Sequence, residues 1–431
     1  MNDWMRRVVW LPAVALVVVG CGGGGSTSGH TENTQPLNVA VFVPFTGPDA
    51  AFGPNSNAGC FPASLAIQAA GGVLGHKLFA CRDVDTRGDP ADAVPAAEQL
   101  VATMSNLVAT LGPSSDEATA TAPTFEAAKI PMMAETGEVS FDHTTLQYFW
   151  RNTPADDYFG YGMALYAHDM GWTTAAGVFG NDVSAQGTVP TVTSGFTKLG
   201  GSIVINESLA LDQSSYRSEV ERVIAAQPQV IFNELDPQSA SVFFAELRQL
   251  SGKNYPIIAI NGQLTDWLKA VTAAVGANNL AQSFHTVVGS SATAGEAYDQ
   301  WNQYLLASQA NVPDPKQWSD DPYAQANYDG LIAFALAMVA AGTSDGSVWN
   351  QYVFKVTTPS AGATVVHTFA EGLQALKAGK TIDYVGVTGQ MAFTKWHNSG
   401  GGFQVLGYAP IGTTLPVLST ITPEQVLAIA Q

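Results

Sequence analysis

Residues 106–136 read NLVATLGPSSDEATATAPTFEAAKIPMMAET. An apolar run, NLVATLG (106–112), stops at Gly112-Pro113. Ser114, Ser115, Asp116 and Glu117 follow, then Ala and Thr at helical spacing, then a second apolar run, IPMMAET (130–136). This order is the signature of a strand, a capped covering helix and a second strand parallel to the first. A helix start leaves about four backbone N–H groups without intrahelical partners, and Ser is a favoured cap for them. The same N–H groups and the helix dipole favour an anion. Ser114 and Ser115 are therefore either an ordinary cap or one wall of a binding site.

The alternation extends in both directions. Upstream, LNVAVFV (37–43) reads as a buried strand, followed by a helix near Asn57–Ala70, a strand HKLFACRDV (76–84) and a helix over 89–104 behind an Asp-Pro start. Downstream, YFWRNTP (148–154) leads into a helix over 156–170, the strand TTAAGVFG (173–180) and a helix over 186–199. SIVINESLA (202–210), a helix after Ser215, QVIFNEL (229–235), a helix over 239–250 and YPIIAIN (255–261) complete a second unit. A strand near 283–288, helices over 296–308 and 321–341 and a hairpin-like end at 384–408 follow. Strands alternating with helices imply parallel sheets covered on both faces, here an α/β chain of two lobes with a cleft between them. Ligands of open parallel sheets bind beyond the carboxyl ends of the strands, which is where Ser114 and Ser115 fall.

The bulk properties narrow the classes. The chain has 431 residues, 46% of them apolar, long enough for two or three domains and too apolar for disorder. A formal net charge of −18 argues against nucleic acid and against adhesion to anionic membranes. Arg6 and Arg7 precede a mostly apolar run, Val8–Val19, which is shorter than the ~20 residues of a transmembrane helix and suits a signal peptide over residues 1–20. The run ends VVGC (18–21), which looks like a bacterial lipobox with Cys21 as the lipidated residue. Residues 22–36, GGGGSTSGHTENTQP, read as a flexible tether spanning roughly 50 Å when extended. With an export signal, Cys60 and Cys81 read as a disulfide rather than a metal site. About 15 Å of helix after Cys60 and a returning strand of similar length bring the two within reach.

Taken in order, several motifs carry a resemblance: VFVPFTGPDAAFG (41–53), GGVLGHKL (71–78), DTRGDPADAV (85–94), LGPSSDEAT (111–119), IPMMAETGE (130–138), YDGLIAFALAMVAAG (328–342) and GVTGQMAF (386–393). From Leu37 to about Tyr408 the chain resembles the type I periplasmic binding proteins of the leucine/isoleucine/valine-binding family. That resemblance implies two doubly wound parallel-sheet lobes joined by a hinge. Residues 37–153 with 284–385 would form the N-terminal lobe, and 154–283 with 386–431 the C-terminal lobe. It also implies a ligand carboxylate held by Ser114, Ser115, Thr136, Gly137 and Glu138, with Phe52 lining the pocket. Ser184, Leu235 and Asp236 take positions that usually offer aromatic contacts. Asn261 stands where amino-acid binders often place an acid for the ammonium. Two of these residues depart from the pattern. Asn261 offers dipoles rather than charge, and Glu138 puts a negative charge where a carboxylate is expected. Either Glu138 holds an amino group, or it points away, or the ligand is not a standard α-amino acid; Asp236 is an alternative ammonium partner.

The function implied is a lipid-anchored extracytoplasmic solute-binding protein serving an ABC permease. Its ligand would be an amino acid, an amide or a carboxylate, with no cofactor, no metal and no nucleic acid. Hinge closure is expected at Arg151–Pro154 and near His285. A sensory ectodomain of the same fold and an exported α/β enzyme are the alternatives. Catalytic motifs are lacking: the seven histidines are scattered without HExxH, and GxSxG and SxxK do not occur. DVDTRGDP (83–90) begins like a calcium loop, but Arg87 takes a ligand position and Val94 replaces the closing Glu. Trp396 and His397 read as surface packing.

Overall fold

The computed structural model describes residues 35–47, 50, 52–260, 262–391, 393–399, 401–410 and 415–430, without the side chains of Phe52, Ser115, Asp116, Val183 and Thr265. The expected signal peptide, Cys21 and most of the tether lie outside the described residues, as does Asn261.

Five parallel strands form the first sheet: β1 (Leu37–Val43), β2 (Phe79–Asp85), β3 (Leu107–Ser114), β4 (Met132–Glu135) and β5 (Phe149–Trp150), in the order β2-β1-β3-β4-β5. All seven residues of β1 are buried, as a strand covered on both faces must be. Its side chains alternate between two cores. Val39, Val41 and Val43 pack toward the helices Phe52–Ala69 and Pro322–Ala341. Ala40 and Phe42 pack toward Pro90–Thr103 and Ser115–Ala128. Gly112 explains the break before the second of these helices: its φ is +94°, and a Cβ there would run into the carbonyl of Phe42. On the outer flank a disulfide joins Cys60 of the first helix to Cys81 of β2.

The second sheet holds β6 (Thr174–Gly180), β7 (Ser202–Leu209), β8 (Val230–Glu234), β9 (Ile257–Ile260), β10 (Phe284–Gly289) and, later in the chain, β14 (Phe403–Leu406) and β15 (Val417–Ile421). Their order is β15-β14-β10-β9-β8-β6-β7, with β14 and β15 antiparallel to their neighbours. Here too a core lies on each face, one under the helices Tyr158–Asp169 and Val183–Lys198, the other under Arg217–Ala226, Pro237–Ser251 and Thr265–Val275. Between β10 and β14 the chain returns to the first lobe and adds a small sheet of β11 (Thr364–Val366), β12 (Ile382–Gly386) and β13 (Gly389–Gln390).

The chain therefore crosses between the lobes after β5, after β10 and before β14. These crossings differ from the boundaries read in the sequence. Residues 284–289 pair with β9 inside the second sheet, so the return to the first lobe falls after Gly289 and not at 284. Residues 386–390 still belong to the first lobe, and the last crossing falls near 399–402 rather than at 386. The segment 384–408 is accordingly not one hairpin: β12 and β13 pair with each other, while β14 pairs with β10 and β15. His285 lies within β10 against Tyr166 and Trp172, with burial pushing its pKa down to about 4, and is no part of a crossing. His397 is not surface packing either. It is buried, stacked on Trp150 with ring centroids 4.1 Å apart, its Nδ1 3.0 Å from the carbonyl oxygen of Phe149.

The crossings are bonded side by side. Arg151 N–H donates to His397 O (3.0 Å), Ser399 N–H to Arg151 O (2.9 Å) and Ser290 N–H to Gly402 O (2.8 Å). Among the described residues no helix is long and apolar enough to span a membrane.

Candidate ligand-binding site

The loops after β3 and β4 in the first lobe and after β6 and β8 in the second carry most of the residues named from the sequence. Ser114 is fully buried at the end of β3. Its hydroxyl donates to Glu117 Oε1 (2.7 Å), its N–H approaches the same oxygen (3.3 Å), and Thr86 donates to it as well (3.0 Å). This is the S-x-x-E capping arrangement, so the Ser114 hydroxyl serves the helix. Burial pushes the Glu117 pKa up, against the hydrogen bond from Ser114. The side chain of Ser115 lies outside the described residues, as does that of Phe52 at the start of its helix.

After β4, Thr136 is buried; its Oγ1 accepts from the N–H of Glu138 (3.2 Å) and its carbonyl faces Arg151 Nη1 (3.5 Å). The Glu138 carboxylate accepts from Thr119 (2.9 Å) and Ser140 (3.1 Å), and its backbone carbonyl accepts from Arg151 (3.1 Å). Gly137 leaves room for the Asp156 carboxylate, which a Cβ would strike, and its carbonyl accepts from the Asp156 N–H (2.8 Å). The loop therefore lies against the first crossing. Arg151 fixes it from beneath: 1% exposed, it also donates to Asp142 and to Asn398 Oδ1 (3.1 Å), which ties the first and third crossings together.

In the second lobe Ser184 donates to Glu234 Oε1 (3.0 Å), and Thr188 to Oε2 (2.7 Å). Leu235 does not line the cleft; it is buried in the core with Phe243 and Phe244. Asp236 caps the helix Pro237–Ser251 through Oδ1, which accepts from the N–H groups of Gln238 (2.9 Å) and Ser239 (3.0 Å). The lobes approach at the rim, where a Cβ on Gly187 would stand 3.7 Å from Val139 Cγ2.

Several residues that the sequence reading left out share this space. Asp156 is exposed, with its carboxylate against Gly137. Desolvation there pushes its pKa up, as do the charges of Glu138 and Asp142, against the pull of Arg151. Glu234 is pushed up by burial, then drawn down by Thr188 and Ser184 and raised again by Asp182 and Asp156. Glu135, at the end of β4 and 3% exposed, accepts from Ser56 (2.6 Å), and burial raises it to about 8. Tyr323, at the start of the helix Pro322–Ala341, is raised by burial and by the charges of Asp156, Asp321 and Glu135. Asp156 and Tyr323 each stand one or two residues past a proline at a chain reversal, a signal the sequence does contain. Among the described residues no cluster of His, Cys, Asp and Glu has the arrangement of a metal site.

The architecture has relatives of known structure. The leucine-binding protein LivK of Thermotoga maritima is 16% identical, with a TM-score of 0.63, over 90% of this chain and 99% of its own. LivJ of Streptococcus pneumoniae, a branched-chain amino acid transporter substrate-binding protein solved in complex with isoleucine, is 18% identical, with a TM-score of 0.63, over 90% of this chain and 99% of its own. A solute-binding protein of an ABC transporter from R. palustris, solved in complex with benzoate, is 15% identical, with a TM-score of 0.60, over 90% and 96%. At these identities the likeness shows the fold. No curated protein sequence matches the chain. The family comparison is more direct: the periplasmic binding protein family matches residues 36–399, almost the whole of the described fold. With that match over most of its length, the chain belongs to the periplasmic binding protein family.

Proposed function

We propose that this protein is the solute receptor of an ABC-type importer, held at the outer face of a bacterial membrane by a lipid on Cys21. It captures a small amino-acid-like or carboxylate solute between its lobes and presents the closed form to a permease. The observation that carries this reading is the pair of sheets joined by three crossings hydrogen-bonded side by side, with the segments after β4 and β6 approaching each other at Val139 and Gly187. Such a joint permits closure by small backbone changes in a few crossing residues. The contact residues proposed from the sequence are Phe52, Ser114, Ser115, Thr136, Gly137, Glu138, Ser184, Asp236 and Asn261, Leu235 being buried in the core. Of these, Gly137 lies directly against the carboxylate of the exposed Asp156. The binding proteins solved with isoleucine and with benzoate support a solute of that size.

Two experiments test the reading. Mass spectrometry of the membrane-extracted protein is expected to find a lipid on Cys21, with Cys21→Ser releasing the protein to the soluble fraction. Solute recovered from the refolded and reloaded protein is expected unchanged; a chemically altered solute would point to the enzyme alternative.

A further inference from the structure

The three crossings surround a cavity of about 500 Å3, counting the solvent at its mouth. Its walls include residues 152–154 of the first crossing, 289–290 of the second and 401–402 of the third. Tyr323 and Ala326 of the first lobe's helix Pro322–Ala341 and Phe159 of the second lobe's helix Tyr158–Asp169 extend them. No residue proposed for the solute cleft lines this cavity. Among the described residues its lining also contains no Lys, Arg, His, Asp or Glu.

Several polar side chains of the lining already give their hydrogens to the protein. Thr388 donates its hydroxyl to Asp329 (2.7 Å), and Asn152 donates an amide N–H to the carbonyl of Ala326 (3.2 Å). The Gln390 amide donates to the carbonyl of Thr357 (2.8 Å) and to Asp383 (3.0 Å). Thr153 differs. It is 3% exposed, and among the described residues its hydroxyl has no partner. A buried hydroxyl left unbonded is destabilising, so the orphan suits an occupant that supplies the missing bond. The side-chain oxygens of Asn152 and Gln390 accept from none of the described residues. The lining therefore offers one hydroxyl to donate and two amide oxygens to accept, beside the apolar surface of Phe159 and Ala326 and without a charge.

We infer that the joint holds a second ligand site, for a small neutral amide or lactam whose carbonyl accepts from Thr153 and whose N–H donates to the side-chain oxygen of Asn152 or Gln390. A charged molecule of the same shape would give up its hydration without meeting a counter-ion. Because the walls belong to all three crossings and to both lobes, a turn of one lobe against the other reshapes the cavity. An occupant favours one lobe angle, and by linkage it changes the affinity of the cleft for its own solute. The inference goes beyond solute capture, since it concerns the joint and not the cleft.

The test uses the purified full-length protein, unfolded and refolded to strip carried-over solute. Calorimetry compares benzamide and δ-valerolactam with benzoate and benzamidine, the charged counterparts of benzamide, and crystals soaked in benzamide locate it. At least one of the two neutral amides is expected to bind, with an affinity indifferent to NaCl, and benzamide is expected against Thr153. Thr153→Val is expected to weaken that binding ~5-fold, the worth of one neutral hydrogen bond. The empty variant should melt at the same temperature as the wild type or higher, because the hydroxyl it loses was unbonded. A lower melting temperature would show that the hydroxyl has a partner in the protein and would overturn the assignment. Gly289→Ala gives a second reading. Its Cβ would stand 3.5 Å from Pro322 Cβ, an ordinary contact, and would add a methyl between two lining residues, so amide binding should weaken again. Absence of amide binding, benzamide seated elsewhere, unchanged affinity in both variants, or tighter binding of benzoate or benzamidine in this cavity overturns the inference. Each of these outcomes leaves solute capture in the cleft standing.

Discussion

Ser114–Glu117 and Ser184–Glu234 make the same bond, a serine hydroxyl donating to a glutamate, at matching places in the two lobes. Their surroundings differ. Glu117 is 1% exposed and lies three residues from its serine, inside one capped helix end. Glu234 lies fifty residues from Ser184, joins a strand end to the neighbouring helix, and feels Asp182 and Asp156. The first bond closes a helix; the second shapes a wall of the cleft. A motif that looks like a ligand cradle in sequence thus becomes a cap where its acid is local, and a cleft surface where its acid arrives from another strand.

Variants can break or sharpen this contrast. The largest effect is expected from Arg151→Met, which leaves Asp142 without its cation and the carbonyls of Thr136 and Glu138 without their donor. Breaking a buried pair from one side costs about 3–5 kcal/mol, and urea unfolding reads it. A loss under ~1 kcal/mol would show that the crossing does not hold the β4 loop.

Glu135→Gln comes next and has a pH signature. Its folded pKa, raised to about 8, lies above the unfolded value near 4.5, so the native state holds the extra proton. Native stability therefore falls as pH rises between those values and levels off above the upper one. The Gln variant lacks this loss and should be the more stable form near pH 8, by on the order of a few kcal/mol. Near pH 4, where both states of the wild type are largely protonated, the two proteins should melt nearly together. Equal melting temperatures at both pH values would contradict the burial of an unpaired charge at this site.

The paired glutamates supply the direct comparison. Glu117→Ala removes a cap partner and strands the hydroxyls of Ser114 and Thr86, so thermal unfolding should show a loss of ~1–2 kcal/mol. Glu234→Gln keeps an acceptor for one of the two hydroxyls and should cost under ~1 kcal/mol. Solute affinity should respond in the reverse order. If Glu117→Ala changed affinity more than Glu234→Gln, the assignment of cap and wall would have to be exchanged. The smallest effect is reserved for Arg217→Ala, far from either pair. The exposed Arg217–Glu221 contact should be worth no more than ~0.5 kcal/mol.

Much of the architecture was legible in the sequence because most strands are short apolar runs between helices. β1, β3, β6 and β8 fall within a residue or two of their apolar segments. The segment 384–408 was misread for a physical reason. Its glycines and alternating apolar residues suit a hairpin, and nothing local says that residues 403–406 would pair with 286–289 instead. His397 reads as a surface residue in the sequence because its partner, Trp150, lies far away along the chain. In the site the loops were legible but their chemistry was not. Turn residues mark a strand end locally, whereas the acids that occupy the hydroxyls of Ser56 and Ser184 come from Glu135 and Glu234 on distant strands. Arg151 and Asn398 are bonded because the crossings bring them together, which no local pattern records.

The path of the chain through the lobes also sets an order of completion. The sheet β1–β5 is laid down by residue 150, yet the helix Pro322–Ala341, which covers one face of it, follows the entire β6–β10 sheet. The second lobe waits in turn for β14 and β15 to finish its edge. While the polypeptide emerges from the ribosome, the face of β1–β5 under Pro90–Thr103 and Ser115–Ala128 can be buried early, whereas the opposite face lacks its covering helix until the last third has appeared. Such a protein spends most of its synthesis with one face of its first sheet still open, and that face closes only when the helix Pro322–Ala341 arrives.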